Sequence, residues 1–334
     1  MRIFSGIQPT GRKHLGNYIG AITQYVEAQE RGDAVLCIVD LHAITVPHDP
    51  AELRERLYDT TAILLAAGLE PARCVLFRQS DVVEHSELTW LLSSVTAYGD
   101  LTRMHQFKDK AAAQRELVSA GLFFYPVLQA ADVLAYRAQE VPVGEDQRQH
   151  VELMRDIATR FNARYGDTLV VPAHRIPPVG ARIMDLQHPE RKMSTTGGSE
   201  EGTIYVLDEP SAIEHKFRRA VTDSGSEIAR APEKPGVSNL LEILAAVRAV
   251  APADLEAQLH GMGYGELKAG VARAVIAHLA PVRERYERLR GDEPALERTL
   301  ADGAQRARAI ASDTVADVRE RMGVGAPRRS RPLP

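Results

Sequence analysis

The chain has 334 residues, room for roughly two domains at about 150 residues each, which excludes a small disulfide scaffold. Apolar residues make up 44% and charged residues 26%, excluding a fibrous or disordered chain, and 41 bases against 45 acids leave a net charge of −4. That mild acidity argues against a general DNA coat but leaves room for RNA, because phosphate attraction is local and screened.

The N-terminal MRIFSGIQPTG carries no apolar stretch of signal-peptide length, and no uninterrupted apolar segment reaches the ~18 residues of a membrane span. A cytoplasmic protein without membrane contact is expected. Cys37 and Cys74 lie in or beside apolar runs and read as buried small hydrophobes in a reducing compartment. Two cysteines make neither a zinc site nor a disulfide framework, and no protein-bound metal is expected.

In chain order, residues 2–5 read as a first strand and residues 6–11 as a turn-rich loop containing Pro9. A helix opens near Gly16 or Asn17, with Ile19, Ile22 and Val26 at helical spacing. Residues 34–39 (AVLCIV) form a continuous apolar run of buried-strand type. Asp49-Pro50-Ala51-Glu52 starts the next helix, with Asp49 as cap and Pro50 at the first helical position, and that helix ends near Gly68. Residues 74–78 (CVLFR) and 140–143 (EVPV) supply two more strands. Between them, about residues 86–136 are mainly helical, too long for one crossover, and read as an insertion. Trp90 in this stretch reads as core beside Leu88, Leu91 and Leu92, with an interface as the alternative. From 147 to 162, Val151, Met154, Ile157, Ala158 and Phe161 keep helical spacing, and after Asp208 the pattern is almost wholly helical.

The alternation predicts an α/β protein: a Rossmann-like, parallel-sheet nucleotide-binding domain over residues 1–200, then an all-helical domain over 201–325. Residues 326–334, with Arg328, Arg329 and Arg331, read as a disordered tail.

Neither a GxxxxGK[ST] loop nor a GxGxxG turn follows a strand. The first strand instead leads into Gly6-Ile7-Gln8-Pro9-Thr10-Gly11, and then His14-Leu15-Gly16-Asn17 opens the helix. Unpaired N–H groups, the positive dipole end and a close-approach glycine make an anion site suited to phosphates. Far along the chain, Arg191-Lys192-Met193-Ser194-Thr195-Thr196-Gly197-Gly198 sets cations and hydroxyls before a glycine pair, a loop able to close over a polyanion. Asp132, in the apolar helical run QAADVL, needs a buried partner, because an unpaired carboxylate there would be costly. Lys216, Arg218 and Arg219 form a basic cluster suited to RNA phosphates, or else a solvated helix face.

Together, Pro9-Thr10-Gly11, His14-Leu15-Gly16-Asn17 and Lys192-Met193-Ser194 resemble the HIGH and KMSKS motifs of class I aminoacyl-tRNA synthetases. FSGIQPTG, IVDLHAITV (38–46), QFKDK (106–110), AADVL (130–134), VPVGEDQ (141–147), RAVTDS (219–224) and KPGVSNLL (234–241) are similar, in family order, to segments of bacterial tryptophanyl-tRNA synthetases. The resemblance implies that tryptophan and MgATP give tryptophanyl-adenylate and pyrophosphate, and that the acyl group then passes to tRNA(Trp). It assigns Gln8, Pro9, Thr10, Gly16 and Asn17 to ATP, with His14 near the phosphates, and places Gly144, Glu145, Asp146 and Ile183 at the ribose and adenine. Lys192, Met193, Ser194, Thr195 and Thr196 would close over the pyrophosphate, with His14, Lys192 and Ser194 as the catalytic set. Tryptophan would lie among Phe4, His42, Tyr125, Gln129, Asp132, Val133, Val141, Val143 and Gln147, its indole N–H on Asp132 and its amino group toward Tyr125 and Gln147. The same resemblance implies a homodimer in contact near the helical insertion, and no DNA partner.

Thr195 stands where the family loop has a lysine, and Thr196 where it has a serine. Losing a cation that faces the leaving pyrophosphate weakens transition-state stabilisation more than ground-state binding, unless Arg182, Arg191, Lys192 or Mg2+ compensates. The departure leaves a specialised or weakly active paralogue, acting as an RNA-binding or regulatory protein, as the alternative. A tyrosyl enzyme is the nearest rival within the class.

Overall fold

The computed structural model describes residues 1–104, 118–176, 182–194 and 198–326, so the QFKDK segment, Thr195, Thr196 and residues 327–334 of the expected tail lie outside it. Among the described residues five strands form one parallel sheet: β1 (Arg2–Ile7), β2 (Asp33–Ile38), β3 (Cys74–Arg78), β4 (Glu140–Pro142) and β5 (Ala173–Arg175). Their order is β3-β2-β1-β4-β5. Strand β1 runs to Ile7, beyond the expected strand, because it keeps register with β2 as far as Ile7↔Ile38. Strand β5 was not foreseen; Ala-His-Arg has no apolar alternation, and only its pairing with β4 makes it a strand.

The sheet is buried on both faces, as a parallel sheet must be. Leu36, Ile38 and Leu76 point to a core shared with Leu15, Ile22, Leu240, Leu244 and Val271. Val35, Cys37, Val75 and Phe77 point the other way, to a core shared with Leu88, Val127, Ile157 and Val315. Both cysteines are buried, and burial pushes the Cys74 thiol up to about 11, which keeps it unreactive.

After β1, helical backbone starts at Leu15–Asn17, passes through one π turn at Tyr18–Ile22 and continues as Thr23–Arg31. Helix Pro50–Ala66 is capped as expected, with Asp49 Oδ1 accepting from the N–H groups of Ala51 (2.8 Å) and Glu52 (2.9 Å). The chain then turns through Gly68 at φ +113°, a conformation open to glycine. The insertion contains helices Glu84–Ser93, Tyr98–Thr102 and Ala120–Leu134. Trp90 is not core: it is 75% exposed. His85, Leu88, Thr89 and Leu92 make the buried i, i+3, i+4, i+7 stripe of its helix, and Trp90, two positions past Leu88, falls on the opposite side.

The second half is helical: Pro210–Arg219, Pro235–Arg248, Pro252–Gln258, Tyr264–Arg290 and Glu293–Met322. The last of these returns to lie on β3, so closely that a Cβ on Gly303 would stand 1.7 Å from the Leu76 carbonyl oxygen. Among the described residues, no single helix is long and apolar enough to cross a membrane.

The strand order locates the site. From β1 the chain steps outward through β2 to β3, and then crosses back to β4 on the other side of β1. The crevice at such a reversal opens outside the carboxyl ends of β1 and β4, where the loops beginning at Gln8 and Val143 emerge.

Candidate active site

The loop after β1 is held from inside by Lys13. Its buried Nζ donates to the carbonyls of Gln8 (2.9 Å) and Thr10 (3.2 Å), and burial followed by the nearby Arg56 charge pulls its pKa down to about 8. His14 caps the helix: its Nδ1 accepts from the Asn17 N–H, and the Asn17 side chain accepts from the His14 N–H, both at 3.2 Å. Burial first, then the charges of Lys192 and Lys13, lower the His14 pKa to about 4, so the ring is neutral at pH 7. A neutral cap leaves the positive end of the helix uncompensated and available to an anion.

The second motif is laced to the first. Residues 183–185 run antiparallel to 191–193, with Met193 N–H on the Ile183 carbonyl (3.0 Å) and Asp185 N–H on that of Arg191 (2.9 Å). Ile183 Cβ lies 3.5 Å from where a Cβ on Gly16 would be, and His14 ring atoms lie 3.1 Å from it, so a larger residue at 16 would push into both. Leu15 N–H donates to the Ile204 carbonyl (2.8 Å) and Val206 N–H to that of Lys13 (2.9 Å). Met193 is buried as the anchor, Ser194 is half-buried, and Arg182, Arg191 and Lys192 are exposed. Loop residues Thr195 and Thr196 lie outside the described residues.

Beyond β4, the Asp146 side chain folds back over Gly144, where a Cβ would lie 2.7 Å from Asp146 Oδ1. Glu145 and Asp146 are exposed in a short turn, and Gln147 donates to Asp146 Oδ2 (3.1 Å) while accepting from Gln129 (3.3 Å). Exposed carboxylates at this position suit a ribose hydroxyl, because a carboxylate only accepts.

Asp132 is 1% exposed, and its partners come from within the chain. His42 Nε2 donates to Oδ2 (2.7 Å), and Gln79 Nε2 (2.7 Å) and His85 Nδ1 (2.5 Å) donate to Oδ1. Burial opposes the charge, but His42 and His85 outweigh it and hold the carboxyl well below its usual range. Around it, His42 meets Tyr125 edge to face at 6.2 Å, and Phe4 stacks on Tyr136 at 5.5 Å. The Tyr125 hydroxyl pairs with His150 Nε2 (2.8 Å). Val133 and Val141 are buried, Val143 and Gln129 half-buried.

Sequence reasoning missed Lys13, Gln79, His85, Tyr136 and His150. A signal existed for two of them: His85 falls on the buried stripe of its helix, and Gln79 is the polar residue at the carboxyl end of an apolar strand. The basic cluster needs correction at Lys216, which is buried, with Nζ donating to Asp208 Oδ2 and the Thr203 carbonyl at 2.8 Å each. It braces the fold and cannot reach an RNA phosphate, whereas Arg218 and Arg219 are exposed.

A helix start suited to an anion, placed at the strand-order reversal and laced to a lysine-bearing segment, is the kind of site an α/β nucleotide-binding protein carries. The profile described as tRNA synthetases class I (W and Y) matches residues 1–280, and the chain belongs to that family. Its relatives point to the tryptophanyl branch. Tryptophan--tRNA ligase 2 of Streptomyces avermitilis is 50% identical over 325 residues, 96% of each chain. Tryptophanyl-tRNA synthetase from Mycoplasma pneumoniae superimposes with a TM-score of 0.88 at 35% identity, covering 97% of this chain and 98% of that one. The Campylobacter jejuni enzyme, solved with ADP and tryptophan, gives 0.82 at 34%, covering 97% and 100%.

Proposed function

We propose that the protein is a tryptophan–tRNA ligase, converting tryptophan and MgATP to tryptophanyl-adenylate and pyrophosphate and then charging tRNA(Trp). The observation that carries the reading is the lacing of Leu15 and Ile204, and of Gly16 and Ile183, which gathers two motifs far apart in sequence at the carboxyl end of β1. In the first step the amino-acid carboxylate attacks the α-phosphate in line and pyrophosphate leaves. That chemistry needs alignment and charge stabilisation rather than a protein nucleophile.

In this reading the loop of Gln8, Pro9 and Thr10 with Gly16 and Asn17 receives ATP, neutral His14 donates from Nε2 toward its phosphates, and Lys192 and Ser194 stabilise the leaving group. Gly144, Glu145, Asp146 and Ile183 hold the nucleoside, and Mg2+ arrives with ATP as part of the substrate. Asp132 receives the indole N–H: a carboxylate offers about four acceptor positions, and the described residues supply donors to three. Phenylalanine has no such donor, so the same buried carboxylate would reject it.

The helical half, residues 201–325, is assigned to tRNA, with Arg218 and Arg219 among the exposed cations. Exposed Trp90, Tyr98 and Val83 are assigned to a homodimer contact. A cytoplasmic location belongs to the proposal, since charged tRNA is consumed in translation. The test is charging of tRNA with labelled tryptophan. Wild type should charge, and Asp132→Ala should lose about 100-fold in kcat/KM for tryptophan; unchanged charging by the variant would remove Asp132 from the site.

A further inference from the structure

Gln79, His85 and Tyr136 have no place in the reaction as described, yet they surround one oxygen of Asp132. Tyr136 is fully buried, packed between Phe4 (5.5 Å), Phe77 (5.6 Å) and His85 (5.5 Å). A buried tyrosine hydroxyl needs a partner, and it has His85 Nε2 at 2.7 Å. The other nitrogen of that ring, Nδ1, faces Asp132 Oδ1 at 2.5 Å. Because Oδ1 accepts, Nδ1 carries the proton on that side of the ring, and the Tyr136 hydroxyl pairs with the opposite nitrogen, Nε2. A relay of contacts therefore runs from the Tyr136 hydroxyl through the His85 ring to Asp132, with His85 N–H donating to the carboxylate. Gln79 is oriented in the same way, its Oε1 taken by the Leu41 N–H (3.0 Å) so that Nε2 turns to Oδ1 (2.7 Å).

The two oxygens of Asp132 are consequently unlike. Among the described residues, Oδ1 is filled by two oriented donors, whereas Oδ2 has His42 alone. We propose that His85, oriented by the Tyr136 hydroxyl, is a positioning residue for amino-acid specificity: with Gln79 it saturates Oδ1 and fixes the carboxylate plane, leaving the open acceptor site on Oδ2, beside His42, for the indole N–H. The inference rests on the tryptophan reading above and deepens it. Without the relay the carboxylate rotates, and the acceptor position meant for the substrate is taken by a donor within the protein.

The test compares tryptophan with its benzothienyl isostere, 3-(benzothiophen-3-yl)alanine, which has the same shape but no N–H. ATP–pyrophosphate exchange is measured for wild type, His85→Leu and the nearly isosteric Tyr136→Phe. The expected result is a rise in KM for tryptophan, about tenfold in His85→Leu and about threefold in Tyr136→Phe, with KM for the isostere and for ATP unchanged. The preference for tryptophan over the isostere then falls by the same factors. An equal loss for both amino acids, or unchanged tryptophan KM in both variants, would overturn the positioning role while the tryptophan reading stands. Wild type that exchanges with neither would overturn the reading and the inference with it. If His85→Leu fails to fold, Tyr136→Phe alone decides, since it removes one hydroxyl and keeps the ring.

Discussion

His14 shows how one residue serves fold and chemistry together. It caps a helix, lies where a side chain at Gly16 would crowd it, and is held neutral by burial and by the charges of Lys192 and Lys13. The consequence for stability has a definite sign. Its pKa drops from 6.5 to about 4 on folding, so as pH falls the unfolded chain takes up the proton first. The stabilisation is present above about 6.5 and is lost progressively down to about 4. His14→Asn keeps a good cap and removes the titration, so thermal melts at pH 7, 5.5 and 4.5 should show a shallower decline than in wild type; parallel declines would contradict the assignment. At Thr195, restoring a cation with Thr195→Lys is expected to raise the tryptophan-dependent exchange rate. A rate that stays level or falls would show that the loop already compensates. Asp132 marks how far single residues can be read from sequence. Its need for a partner follows from an apolar helical context, but His42, Gln79 and His85 stand 90, 53 and 47 residues away, and only the folded sheet brings them together.

Elements were legible where the pattern is local and strong. β2 and β3 are continuous apolar runs, and Pro50–Ala66 announces itself by Asp49, Pro50 and Glu52. β5 was not, because an edge strand of three largely polar residues exists only through its neighbour. Nor was the face on which Trp90 lies, since apolar spacing alone did not separate a buried stripe from an exposed one. The seat of the last helix is a further case. A Cβ at Gly303 would meet backbone, which cannot yield as a side chain can, so Gly303→Ala is expected to destabilise by about 3 kcal/mol. Gly270, inside helix Tyr264–Arg290, has nothing within 4 Å of such a Cβ, and Gly270→Ala should instead stabilise by about 0.5–1 kcal/mol. Urea denaturation of both variants checks the pair, and two changes of the same sign would refute the packing argument.

At the scale of the whole molecule, a net charge of −4 left RNA open, and the family narrows the proposed nucleic-acid partner to tRNA. A dimer built on the exposed face of Glu84–Ser93 predicts that Trp90→Glu shifts the light-scattering mass of the purified protein from two chains to one, because a charge would have to be desolvated at the contact. A mass unchanged by the substitution would place the contact elsewhere. The central claim is narrower than any of these: the two laced motifs activate an amino acid, and the carboxylate of Asp132 makes that amino acid tryptophan. ATP–pyrophosphate exchange by the wild-type protein, run with tryptophan and with tyrosine, tests it most directly. Exchange with tryptophan and none above background with tyrosine is the predicted result; exchange with tyrosine alone, or with neither, would contradict it.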